Sequence, residues 1–271
     1  MKIALVQHFV TENIEDNLNR GLAALEEAAS NGAELVAYAE LAFEPFYPQR
    51  HTDGNNLELA DTIPGNFTEK FSLRAKELGV VVVLNLFERD GEKTYDSSPV
   101  IDSDGSILGV TRMMHITDYE HFHEKDYYSP AAELPKVFDT AAGKIGVAIC
   151  YDRHYPEVMR SLRLKGAELV VIPQAGTVGE WPDGLYEAEV RVASFQNGYY
   201  AALVNRVGTE RNLNFAGESF VCAPDGSVIA SAPGGVEAML YADLDFELLD
   251  KSHASKYFLK DRRPGSYSDI S

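Results

Sequence analysis

Cysteine is nearly absent from this 271-residue chain: Cys150 and Cys222 are the only two. Two thiols cannot build a disulfide framework, and no CxxC or Cys/His cluster marks a structural zinc site, so no metal is expected. A reducing, cytoplasmic setting follows as the expectation. Basic residues are scarce as well, with 24 Lys and Arg against 42 Asp and Glu, a formal net charge of −18. Nucleic acid and anionic membrane surfaces need basic patches to neutralise phosphate, so neither is an expected partner. Long apolar runs are missing too. None approaches the ~20 residues of a membrane span, and the first residues read as a strand, not a secretory or transit segment. What is present is ordinary: 45% hydrophobic and 24% charged residues exclude wholesale disorder and permit a sizeable core.

The chain repeats itself. Lys2-Ile3-Ala4-Leu5-Val6 is echoed by Lys144-Ile145-Gly146-Val147-Ala148, and Gly32-Ala33-Glu34-Leu35-Val36 returns unchanged at 166–170. Val83-Leu84-Asn85 corresponds to Leu203-Val204-Asn205, and the Asp-Gly-Ser turns at 104–106 and 225–227 correspond in turn. Each half reads as strand, helix, strand, helix, strand and hairpin. Ile14, Leu18, Leu22, Leu25 and Ala29 form one apolar stripe at helical spacing. Phe67, Phe71, Ala75 and Leu78 form another, closed by Gly79, and Leu185, Ala188, Val192, Phe195 and Tyr199 form the stripe of the second half. Val80 to Leu84 is a continuous β-branched run, the mark of a strand covered on both faces. Two such halves packed sheet to sheet predict a four-layer α-β-β-α sandwich with an internal two-fold pseudo-repeat. A single doubly wound sheet is the alternative. No Pro/Ser-rich linker separates the halves. The expectation is one domain over 1–271, with pseudo-repeats at about 1–115 and 143–240 and a basic tail at about 250–271 lying over a neighbouring element or subunit.

Three places carry chemistry. Cys150 closes the apolar strand Ile145 to Ile149 and precedes Tyr151-Asp152-Arg153-His154, with a helix expected from Pro156. A thiol at a strand end facing a helix N-terminus meets backbone N–H groups that lower its pKa and can hold an oxyanion. It reads as either a nucleophile or a small buried hydrophobe; Cys222, inside a hairpin strand, reads as the latter. Glu40 ends the strand Leu35 to Ala39, where α/β folds place ligands, among Tyr38, Phe43, Phe46 and Tyr47. Desolvated there, it would have a raised pKa suited to a general base; the alternative is a surface carboxylate. The segment Thr111 to Lys125 holds three of the seven histidines. Its length favours a functional loop over a plain surface one, and its histidines lack the spacing of a metal site.

Glu40 in Ala39-Glu40-Leu41-Ala42-Phe43, Cys150 in Gly146-Val147-Ala148-Ile149-Cys150-Tyr151-Asp152, the following Pro156-Glu157, Asn205-Arg206-Val207-Gly208 and the Pro-Asp-Gly turn after Cys222 together resemble the nitrilase (carbon–nitrogen hydrolase) superfamily. The likeness runs from Lys2 to about Arg263. It implies the α-β-β-α sandwich, a homodimer or higher homo-oligomer, no cofactor, and hydrolysis of small amides, carbamoyl compounds or nitriles. By the same resemblance Glu40 matches the general base, Cys150 the nucleophile and Glu124 the second glutamate. The catalytic lysine does not carry over, because Arg112-Met113-Met114-His115 has Met113 in its place. If the segment is extended, Arg112 points away from Met113 and His115 shares its face. The expected activity is cleavage of a non-peptide amide or carbamoyl bond through a cysteine thioester, with Tyr47, His115, Tyr151 and Trp181 as pocket candidates. A catalytically impaired binder of a metabolite or protein, and an acyl-transfer enzyme, are the rivals. Glu44, Asp118, Glu120, Glu180 and Asp183 near the expected mouth point to a cationic substrate.

Overall fold

The computed structural model describes residues 1–267. Its first half runs β1 (Lys2–Gln7), α1 (Ile14–Ser30), β2 (Leu35–Tyr38), the single turn α2 (Asn56–Leu59), α3 (Asn66–Leu78), β3 (Val81–Val83), β4 (Leu86–Asp90), β5 (Lys93–Ile101) and β6 (Ile107–Arg112). The second runs β7 (Val137–Thr140), β8 (Gly143–Val147), α4 (Pro156–Leu164), β9 (Leu169–Gln174), α5 (Leu185–Asn197) and β10 (Tyr200–Asn205). It continues through the β11 (Val207–Glu210) and β12 (Leu213–Ala216) hairpin, β13 (Phe220–Cys222), β14 (Val228–Ser231), β15 (Ala238–Asp243) and α6 (Glu247–Lys251). One sheet has the order β15-β1-β2-β3-β5-β4, with β6 on β5; the other has the order β14-β13-β10-β9-β8-β7.

The layers follow from side-chain alternation along fully covered strands. Leu5, Ala37 and Val83 of the first sheet share an inter-sheet core with Val147, Val171 and Val204 of the second. The opposite faces, Ala4, Val36 and Val82, pack under Leu18 and Leu25 of α1 and Phe71 of α3. Val170 and Ala201 lie under Val158 and Leu162 of α4 and Val190 of α5. The arrangement is a four-layer α-β-β-α sandwich, and two separate sheets rule out the single doubly wound alternative.

The repeated Gly-Ala-Glu-Leu-Val segments do identical work. Lys2 N–H donates to the Glu34 carboxylate and Lys144 N–H to that of Glu168, both at 2.8 Å. Each glutamate's own N–H returns to the same lysine's carbonyl, at 2.8 and 2.9 Å. Sheet membership, however, does not follow the halves: β15, from the end of the second half, pairs antiparallel with β1 of the first, Lys2 opposite Asp243. The expected boundary at about 240 therefore cuts through a strand of the other sheet.

One sequence expectation fails on the outer layer. The α5 stripe was expected to face the core, yet Leu185 and Val192 are 46% and 51% exposed. The inward face is instead Val190, Ser194 and Asn197. The tail folds back on its own chain: Phe258 packs on Phe195 with ring centroids 5.3 Å apart, and Arg163 donates to Ser255 at 2.8 Å. Residues 268–271 of that tail lie outside the described residues. No helix among the described residues is long and apolar enough to cross a membrane.

Candidate active site

The ends of β2 and β9 meet across the pseudo-two-fold, where Glu40 N–H reaches the Gln174 carbonyl at 3.4 Å. Each end is held by the asparagine of the neighbouring strand. Asn85 Oδ1 accepts Leu41 N–H at 2.7 Å, and Asn205 Oδ1 accepts Gly176 N–H at 2.8 Å. The chain turns sharply at both positions: Leu41, directly after Glu40, has φ 45°, and Cys150 has φ 38°, conformations that side chains rarely adopt.

Glu40 is fully buried, and neither carboxyl oxygen accepts a hydrogen bond from a protein N–H. The groups in hydrogen-bonding reach are the Asp96 carboxyl and the Cys150 thiol. Burial, reinforced by the Glu124 charge, pushes Glu40 up from 4.5 to about 7. Glu124, in a short helical turn at Glu124–Asp126, is also buried and accepts Thr117 N–H at 3.3 Å. Its carboxyl is driven well above the usual range by desolvation and by Asp96. Glu40, Cys150 and Glu124, chosen from sequence, thus converge in space.

The thiol corrects one expectation. A helix N-terminus was to lower its pKa; instead the turn Cys150–His154 is a short 3-10 segment, and burial followed by the Glu40 charge pushes the thiol up. Arg153 and the Ala175 N–H act against that rise without overcoming it. Arg153 is buried, donating to the Cys150 carbonyl and to Gln174 Oε1, each at 2.8 Å, and lying over the Tyr186 ring. Cys222 is fully buried beside Val170 and Ala201, its thiol raised to about 12 by desolvation.

Met113 is fully buried in the inter-sheet core, with its N–H on the Asp96 carbonyl at 2.9 Å. His115 does not share its face. β6 ends at Arg112, its pairing with β5 reaches no further than Met113 N–H on the Asp96 carbonyl, and the His115 ring bonds Asp152 at 2.7 Å and stacks on Tyr155 at 3.4 Å. Arg112 pairs with Glu88 and Asp90, away from the site. Trp181, His154, Tyr151, Tyr155 and His115 form one continuous aromatic run along the Cys150 turn. Tyr47 sits apart, between Phe87 and Tyr127.

The acidic mouth is smaller than expected. Glu44 is buried and accepts Phe87 N–H at 3.0 Å, so it faces no opening. Glu180 is taken by the hydroxyls of Tyr119 and Tyr186 and by Thr177 N–H. Asp118 pairs with His123, while Glu120 and Asp183 stay exposed. Among the described residues no His, Cys, Asp and Glu group could hold a metal ion. Asp96 escaped the sequence reading, and Asn85, Arg153 and Arg206 were quoted there in motifs without being given a part in the site. The signal for Asp96 was there: four consecutive buried residues of β5, Tyr95-Asp96-Ser97-Ser98, include three polar ones, which an ordinary core strand avoids.

A four-layer sandwich of this kind is the fold of a class of hydrolases acting on carbon–nitrogen bonds. The chain belongs to the carbon-nitrogen hydrolase family, whose model matches residues 2–253. It is 34% identical to a citrullinase of Francisella tularensis, over 100% of this chain and 98% of that protein. It is 33% identical to an N-carbamoylputrescine amidase of Solanum lycopersicum, over 98% and 93%. A solved carbon-nitrogen hydrolase from Helicobacter pylori superposes with a TM-score of 0.93 at 30% identity, covering 100% of this chain and 98% of that one.

Proposed function

We propose that this protein hydrolyses a small, non-peptide amide or carbamoyl compound through a Cys150 thioester, with Glu40 as general base. The observation that carries the proposal is the buried Cys150 thiol set beside Glu40, a fully buried carboxyl neither of whose oxygens accepts a hydrogen bond from any N–H. Because the thiol is raised and protonated at rest, it needs a base, and a carboxyl near 7 is matched to that task. Glu40 takes the thiol proton as Sγ attacks the carbonyl carbon. The tetrahedral oxyanion faces backbone N–H groups of the Cys150 turn, that of Tyr151 foremost. Collapse breaks the C–N bond, and the departing nitrogen takes the proton from Glu40. Glu40 then deprotonates water, which cleaves the thioester and frees the thiol. Turnover is expected to rise with pH through about 7 as Glu40 ionises.

Carbamoyl compounds bearing an amine are the favoured substrates. Citrulline and N-carbamoylputrescine, the compounds named by two relatives, share that chemistry, and Met113 leaves a cationic group of the substrate without a competing lysine. Ammonia release from carbamoyl amines, ω-amides, aliphatic amides and nitriles, measured side by side, tests this. Release from the carbamoyl amines first supports it. No release from any of the four, with a Cys150 that iodoacetamide labels no faster than an ordinary thiol, selects the impaired binder that Met113 suggests.

The homo-oligomer is proposed on the exposed apolar surface. Tyr199 and Tyr200 are buried, whereas Tyr257 and Phe258 are exposed. The stronger surface is the outward face of α4 and α5, where Leu164, Leu185 and Val192 border a groove of about 940 Å³. Glu189 of α5 binds Arg153 and His154, so this face abuts the Cys150 turn. Light scattering at micromolar concentration is expected to give the mass of at least two chains, and Val192→Glu to lower it. A single-chain mass for the parent protein rejects the assembly.

A further inference from the structure

We propose that Asp96 is a positioning acid for Glu40: a neutral carboxyl that donates its proton to the Glu40 carboxylate, keeping it ionised and aimed at Cys150 where no ammonium does so. The inference rests on reading Glu40 as the base. Its ground is the register of β5 and β6. Ser97 lies opposite Arg112, so Asp96 lies opposite residue 113, and directly opposed side chains share one face. That partner is Met113, which brings no charge.

The hydrogen-bond network then says where the Asp96 proton sits. Leu41 N–H occupies Asn85 Oδ1 at 2.7 Å, which orients the amide so that Nδ2 donates to Asp96 Oδ1 at 2.5 Å and to Ser98 Oγ at 3.1 Å. Asp96 Oδ1 is therefore an acceptor. Asp96 Oδ2 and both oxygens of Glu40 are buried without any N–H donor, and the two carboxyls lie within hydrogen-bonding reach of each other. Two bare carboxylates in contact, with no donor between them, are not stable in a closed core; one shared proton resolves the contact.

The surrounding charges leave no other solution. Glu124 and Tyr128 face the pair from the 124–128 segment, Asp152 from the Cys150 turn, and Glu44 from beyond Leu41. The nearest cation on that side, Arg206, is committed to the carbonyls of Glu40, Leu41 and Glu44 and to the Glu210 carboxylate. Desolvation, then Glu40, drives Asp96 well above the usual carboxylate range.

Alkylation of Cys150 by iodoacetamide reads the base directly. The S–C bond forms, C–I breaks, iodide leaves, and the thiol proton passes to Glu40. The measurement is the alkylation rate against pH in a Cys222→Ala background, where the parent is expected to show an acid limb near 7. Asp96→Asn keeps a donor toward Glu40 and is expected to hold that limb. Asp96→Leu, of similar shape without a donor, is expected to raise it by about one unit or more. If Asp96 were instead ionised, Asp96→Asn would remove a neighbouring negative charge and lower the limb by about one unit or more, overturning the proposal. A limb unmoved in both variants overturns it as well. Should Asp96→Leu not fold, the infrared carbonyl band of a neutral carboxyl decides: present in the parent at neutral pH and lost in Asp96→Asn supports the proposal, and no difference rejects it. Glu40→Gln separates the two layers, because a limb that survives it means that Glu40 is not the base at all.

Discussion

Cys150→Ala is expected to abolish hydrolysis, while Cys222→Ala keeps kcat within about threefold, the range of a substitution remote from the reacting atoms. Both cysteines are buried but they differ in what they touch. Cys150 stands at a strained strand end against Glu40 and Glu124. Cys222 lies among aliphatic side chains on the helix-covered face of the second sheet. On the proposed mechanism, deleting the first removes the atom that forms the covalent intermediate, and no neighbouring group can replace it. Deleting the second leaves a void about the size of one sulfur, a cost in stability and not in chemistry. Steady-state kinetics on both variants, each checked for native circular dichroism, decides. Equal loss in both folded proteins would sink the assignment of Cys150.

Met113→Lys is expected to lower kcat/KM more than about tenfold and to shift the acid limb of the pH profile down by about one unit or more. Residue 113 lies directly opposite Asp96, inside the layer between the sheets. An ammonium there would pair with Asp96 and Glu40, ionise both, and so expel the proton that Asp96 holds. A carboxylate fixed in a buried ion pair is a poorer base than one poised near 7. The new cation would also repel a cationic substrate. A gain in kcat/KM would mean the opposite: a standard lysine-dependent site weakened by loss of its cation, with Asp96 a bystander.

The contrast between Met113 and His115 shows why the site was only half legible in advance. That Met113 stands where the resemblance leads one to expect a lysine is a statement about residue order, and order was enough to find it. That His115 does not share the face of Met113 depends on where β6 stops. The strand ends at Arg112 because Asp152, from the Cys150 turn after β8, captures the backbone N–H groups of Met114 and His115 at 3.1 and 3.0 Å. No local pattern encodes a partner 37 residues away. Asp96 was passed over for the same reason, since the part proposed for it depends on its nearness to Glu40, 56 residues away in the chain.

By itself the sequence determined what recurs or alternates. The duplicated Gly-Ala-Glu-Leu-Val segments, the apolar stripes of α1 and α3, the Asp-Gly-Ser hairpins and the covered strand at Val81–Val83 all express local periodicity, which 3.6- and 2-residue repeats translate directly into helices, strands and layers. Glu40 and Cys150 were visible because each ends such a strand. Only the tertiary structure decided which face of an amphipathic element turns inward: α5 buries Val190, Ser194 and Asn197 and leaves its more apolar stripe outside. It alone carried β15 across to β1, and it alone set the proton balance of the site. Burial and the charges of residues far apart in the chain fix whether a carboxyl or a thiol is ionised, and these exist only once the two sheets have closed on each other.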